Sequence, residues 1–209
     1  MPPRKRNGQR PDNRRQQIAD EAARIIIESG TGDYRAAKAK AQERLGLSSG
    51  PLPGNEEIEA ALASRNRIFR GDRHTAHLHD LREMAADLML RLQSFKPKLV
   101  GSVLSGNATD HSAIDLHLFS DTPELVAMRL EALDLFHKPI QFQHRWRKGE
   151  SEAIPGFRFY AEEYECLAGV FPDRRRAHAP LSPVDGKPMR RAGHREVTEM
   201  LRVAEFSAG

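Results

Sequence analysis

The residues best suited to chemistry lie between Leu99 and Ser120, in the stretch LVGSVLSGNATDHSAIDLHLFS. A short apolar run, Leu99-Val100, ends on Gly101-Ser102, small and polar residues follow, and Ile114-Asp115-Leu116-His117-Leu118 then alternates apolar with polar. That pattern predicts a strand, a tight phosphate-sized loop and a second strand. Glycine lets a backbone approach phosphate oxygens, while the serine hydroxyl and neighbouring N–H groups donate hydrogen bonds to them. Asp115, on one face of the second strand, would point back over the loop. This layout suits a nucleotide site with a metal, where a protein must hold the polyphosphate, bind a divalent ion with carboxylates and orient the attacking group.

Several elements must position these residues. Asp12 or Asn13 can cap a helix to Ser29, with Ile18, Ala22, Ile25 and Ile26 at helical spacing, and Gly30 and Gly32 after it. Asp33 caps a second helix, Tyr34 to Leu45, closed by Gly46; its alanines suit close packing. The segment 47–55, LSSGPLPGN, is a boundary. Asn55, with Glu56 and Glu57 behind it, opens a third helix to about Phe69. After Gly71-Asp72 a long helix spans about 73–95, with Leu78, Leu81, Ala85, Leu88, Met89 and Leu92 as its apolar stripe. Pro97 delivers the chain into the focal stretch. Beyond it, Pro123 begins a helix to Leu135, and strands are expected at 140–146, 157–160 and 164–171. A Pro155-Gly156 turn precedes the last two, which form a hairpin. An extended basic loop then leads to a last helix, 194–206. Helices first, then strands with one intervening helix, make an α+β fold with a helical N-terminal region.

The chain has 209 residues, 39% hydrophobic and 30% charged, with a net charge of +4. No apolar run approaches the roughly 18–20 residues of a membrane span. The basic N-terminus is not followed by the apolar stretch of a secretory signal, and a single cysteine, Cys166, excludes an internal disulfide. The cytoplasm is the expected compartment. Basic residues cluster in 1–15, read as a disordered arm, and again from Arg174 to Arg191. Such clusters suit phosphate-rich partners, nucleotide or RNA. The domain reading is an arm over 1–15, a helical region over 16–71 and a core over 72–209.

The focal stretch resembles the DNA polymerase β-like nucleotidyltransferase superfamily, in particular its small bacterial minimal members. Gly101-Ser102, Gly106, Ser112, Ile114, Asp115 and Leu116 fall on that family's signature without a gap. The likeness covers residues 97–121 and extends through the hairpin to Phe171. It implies a mixed-sheet core with flanking helices, transfer of a nucleoside monophosphate from an NTP, and Mg2+ or Mn2+ as cofactor. Gly101, Ser102 and Ser112 would hold phosphates, and Asp115 would be a catalytic metal ligand. Glu165 would supply the carboxylate of an adjacent strand. His117, on the same face as Asp115, is a further metal candidate, better for manganese or zinc than for magnesium. Where the family has the first Asp of its pair, this chain has Ala113. Three readings follow: an enzyme with an altered metal site drawing on Asp110, His111 or His117; a module binding nucleotide or RNA without turnover; or a turn with no such function.

Other residues carry two readings each. Arg158, central on a strand, contacts phosphate or faces solvent. Lys187, Arg190 and Arg191, in a loop held by prolines, form a phosphate or RNA lid or cover a sheet edge. Trp146 stacks a base or packs structurally. His74, His77 and His79 bind metal or line an exposed helix face. Cys166 is a buried small apolar residue at mid-strand.

Overall fold

A computed structural model describes residues 10–30, 32–47, 50–69 and 71–208. The fold is α+β, with helices preceding a five-stranded mixed sheet. The chain divides into two compact units: Met1–Gly71 with Thr109–His111, and Asp72–Ala108 with Ser112–Gly209. Of the arm expected over 1–15, residues 1–9 lie outside the described residues and 10–15 form the first turns of a helix.

The first unit is helical: α1 (Arg10–Ser29), α2 (Tyr34–Leu45) and α3 (Asn55–Phe69). Ile18, Ala22, Ile25 and Ile26 of α1 meet Ala37 and Ala41 of α2 and Ile58 and Leu62 of α3 in one buried cluster. The alanines of α2 allow that close approach. Its ends carry the expected chemistry: the Asp33 carboxylate accepts from the Arg35 and Ala36 N–H groups at 2.8 and 3.1 Å, and Gly46 closes it in the left-handed region. Arg15 holds α1 to α3 through Glu57 at 2.6 Å.

In the second unit, α4 (Gly71–Arg91) precedes a 3-10 turn at Gln93–Phe95. Then come β1 (Lys98–Val100), α5 (Gly101–Ser105), β2 (Ile114–Phe119), α6 (Pro123–Glu131), β3 (His137–Arg145), β4 (Ser151–Ala161), β5 (Tyr164–Phe171) and α7 (His194–Ala208). The strand order is β1-β2-β5-β4-β3. Among the described strands only the β2–β5 pairing is parallel; the others are antiparallel. Leu81, Leu88, Met89 and Leu92 of α4 pack with Leu99, Ile114, Leu116, Leu118, Phe159 and Cys166, so one face of the sheet is covered by the expected stripe. Each such side chain contributes about 1.5–3 kcal/mol by burial. The opposite face presents Asp115, His117 and Phe119 of β2, and Phe119 joins Trp146, Ile154 and Phe171 in a smaller cluster.

Two local expectations are corrected. The Pro155-Gly156 turn does not exist: both residues lie inside β4, opposite Gln141 and Ile140. A Cβ on Gly156 would collide with the Ala168 carbonyl and the Phe142 ring, so this glycine serves close packing across the sheet. The hairpin turn is Glu162-Glu163, with Glu162 at φ 54°. The phosphate-sized loop after β1 begins as a helical turn, because Val103 and Leu104 on it find buried positions in the core.

The basic loop 172–193 is pinned to the sheet. Ala192 and Leu99 exchange backbone hydrogen bonds at 2.9 Å, which extends the β1 edge, and Leu181 bridges to Arg145 of β3. Among the described residues no helix is long and apolar enough to cross a membrane.

Candidate functional site

The candidate site is built where β1 turns into α5. Gly101 has φ +72°, a conformation that L side chains rarely adopt, and a Cβ there would run into the Asp115 carboxyl group. The chain register explains the contact, since Val100 pairs with Asp115 across β1 and β2. Gly106, at φ +91°, ends α5, and its N–H donates to the Ser102 carbonyl at 2.9 Å. Gly101, the start of α5 and Asp115 are therefore one packed feature.

Glu165 joins it from β5. In the parallel ladder Asp115 lies opposite Leu167, so Glu165 is the diagonal neighbour of Asp115 on the same face. Withdrawal from water, reinforced by the negative charge of Glu165, pushes the Asp115 carboxyl up to about 7. Arg158 of β4 also pairs with Leu167, and its Nε lies 3.2 Å from Glu165 Oε1. That ion pair is half exposed and contributes little stability. Two hard carboxylates on one face of the sheet, Asp115 and Glu165, offer the oxygen ligands that Mg2+ or Mn2+ prefers. By donor chemistry these two carboxylates would be the residues to hold such an ion, and Ala113 would contribute no ligand to it.

His117 is committed elsewhere. Its Nδ1 accepts a hydrogen bond from Arg191 Nε at 3.0 Å, which assigns the proton of the neutral ring to Nε2. The ring packs on Phe171 at 4.3 Å and edge-on to His144 at 5.6 Å. Burial, then the Arg191 and His144 charges, hold His117 well below the usual histidine range. A guanidinium bonded to this ring opposes a cation beside it. Arg191 also donates from Nη1 to the carbonyls of Arg175, Arg176 and His178, fastening the basic loop against Phe119 and Phe171.

The remaining expected residues are dispersed. Ser102 and Ser112 are half-buried near the turn. Arg190 is bound to Glu196 of α7 at 2.7 Å. Lys187 extends into solvent, 3.8 Å from Asp185. Asp110 and His111 belong to the first unit, where His111 packs on Gly30. Trp146 is 5% exposed, with Arg175 stacked on it at 3.9 Å, so it offers no face to a base. Cys166 is a buried free thiol pushed up to about 12 by desolvation.

Two features escaped sequence reading. His79, Asp80 and Glu83 bring ligand atoms within 4.8 Å of one another on α4, a set spaced i, i+1, i+4 and exposed at its acids. Lys96 and Lys98 flank Pro97 on the wall of a cavity; the Lys-Pro-Lys spacing is visible in the sequence but has no distinctive signature. The cavity beside Asp115 is small, about 130 Å³, and is lined also by His117, Phe142, His144, Leu167 and Met189. Ligand pockets for whole small molecules run about 300–1,000 Å³, so this one admits an ion with its waters or a phosphate.

No protein-family model matches the chain, and no curated protein sequence matches it.

Proposed function

We propose that this is a nucleotidyltransferase-like protein that transfers a nucleoside monophosphate from an NTP to an acceptor on the sheet face around Asp115. The observation that carries the reading is the contact of Asp115 with Gly101, together with the charge coupling of Asp115 to Glu165 on the adjoining strand. A Gly-Ser turn against one carboxylate, with a second carboxylate diagonal to it, is the arrangement that metal-assisted phosphoryl chemistry needs. Asp115 and Glu165 would hold the divalent ion, which neutralises triphosphate charge when bound. Gly101 and Ser102 receive phosphate oxygens, and Arg158 offers a cation on the same face. The small cavity takes the phosphate end only, and the base lies outside it. The acceptor nucleophile would lose its proton to solvent and bond to the α-phosphorus as the bond to the β-phosphate breaks and diphosphate leaves. The reading puts the protein in the cytoplasm, in keeping with an unpaired Cys166.

Ala113 favours a second reading, a module that binds nucleotide or RNA without turnover, because one hard oxygen ligand is missing from the resemblance. Incubation with α-phosphate-labelled NTP and Mg2+ or Mn2+ separates the two. Metal-dependent label in an acceptor or in the protein itself, abolished in Asp115→Asn, supports transfer. A nucleotide- and metal-dependent rise in Tm without label supports the binding module. Neither label nor a Tm shift with NTP and metal, together with no RNA binding in the same protein, overturns both.

A further inference from the structure

A second cavity, of about 780 Å³, opens at the far end of β2, where Phe119 leaves the sheet. Phe119 lies four residues along the strand from Asp115, about 13 Å at strand rise. The cavity is separate from the Asp115 site, and no part of the nucleotidyltransferase reading uses it. Its walls come from the end of α4, the Lys96-Pro97-Lys98 segment, the residues after β5 and the start of α7.

Its electrostatics are one-sided. Lys96, Lys98, Arg174 and Arg176 line it against one carboxylate, Asp173. Asp173 Oδ1 sits 3.7 Å from Lys96 Nζ and 3.9 Å from Arg176 Nη1, at the loose limit of ion pairing. It marks a position where two cations already converge on an oxygen anion. Lys98 and Arg174 make no ion pair among the described residues. The Lys98 ammonium lies 3.2 Å from where a Cβ on Gly193 would stand, so the absence of a side chain there lets it lie over the start of α7. The positive end of that 15-residue helix adds to the same field. Between the cations the wall carries apolar side chains, including Leu90 at 54% exposed, beside Gln93 and His194.

We propose that this cleft binds the phosphate backbone of a single-stranded nucleic acid. The volume lies in the upper part of the roughly 300–1,000 Å³ range of small-ligand sites, more than one nucleotide requires. The cations reach it from separate chain segments, which suits successive phosphates better than one compact polyphosphate. Phe119 is 3% exposed and cannot stack a base, so contact is with the backbone and tolerates any sequence.

The test is fluorescence anisotropy of the full chain with labelled oligo(U) of increasing length, in EDTA and without nucleotide, so that the result does not depend on the Asp115 reading. Binding should tighten with length up to several nucleotides. Lys98→Gln with Arg174→Gln should weaken it about tenfold and reduce the log–log salt slope by about 1.4, two contacts at about 0.7 each for single strands. Asp173→Asn should tighten it several-fold. All three substitutions are at wall positions outside the core, and an unchanged Tm checks that the fold is intact. Equal affinity of wild type and the double variant overturns the proposal, because binding then lies elsewhere, as on the basic residues near the N-terminus. Displacement of long oligo(U) by equimolar tripolyphosphate, without length dependence, also overturns it and makes the cleft a small-polyanion site.

Discussion

The Asp115 carboxyl group occupies the space over Gly101 that a side chain at position 101 would need. One backbone position without a Cβ thus decides how closely the acid approaches the turn that begins α5. The same closeness withdraws the carboxyl from water and exposes it to the charge of Glu165. Stability and chemistry at this point are coupled through two residues that are fourteen apart in sequence but brought together because Val100, just before Gly101, pairs with Asp115.

Gly101→Ala should destabilise the protein by about 2–4 kcal/mol, combining a left-handed backbone cost of roughly 1–2 kcal/mol with the collision. In an Asp115→Ala background the collision is gone and only the backbone cost of about 1–2 kcal/mol remains. Urea titrations of the four proteins close this double-mutant cycle. Strict additivity would show that the packing of Asp115 on Gly101 is not felt energetically.

The pH dependence of stability has two limbs of opposite sign. Asp115 has a folded value near 7 against an ordinary 3.8, so the folded state holds its proton longer and stability falls as pH rises from about 4 to 7. Asp115→Asn should remove that fall, and the variant gains on wild type as pH rises. His117 and His144 are both depressed below the ordinary 6.5. The stability they contribute is present above about 6.5 and is lost as pH falls. His117→Gln should flatten the loss on the acid side while leaving the Asp115 limb in place. Denaturant midpoints at half-unit pH steps read both effects, and identical profiles for wild type and Asp115→Asn would refute the first.

Gly156→Ala should cost about 1–3 kcal/mol, because the added methyl meets a backbone carbonyl, that of Ala168, as well as the Phe142 ring. Phe142→Leu in the same chain should recover only part of this loss, since a ring can give way and the strand backbone cannot. Full recovery would place the entire conflict at the ring.

Much of the architecture was legible because it rests on local chemistry. The stripe of α4, the Asp33 and Gly46 caps of α2, the alternation around Asp115 and the β4–β5 hairpin all follow from spacing and from residues with few conformational options. Pro155-Gly156 misled, since its turn chemistry is local while its real role depends on Ala168 and Phe142 of the neighbouring strands. The basic loop left two readings open in the sequence, a phosphate or RNA lid and cover for a sheet edge. Only the fold supplied the Ala192–Leu99 pairing and the Glu196, His117 and carbonyl groups that engage Arg190 and Arg191.

By itself the sequence determined most of the helices and strands, and that Gly101 and Ser102 follow one short strand and precede the strand that carries Asp115, because those properties are set by side chains a few residues apart. Only the tertiary structure decided that Glu165 stands diagonal to Asp115 and that Arg191 is bound into the loop. It also decided that Lys96, Lys98, Arg174 and Arg176 face one cleft. Those relationships join residues far apart in the chain. They depend on the parallel β2–β5 register and on how the last loop closes over the sheet, which no local pattern specifies.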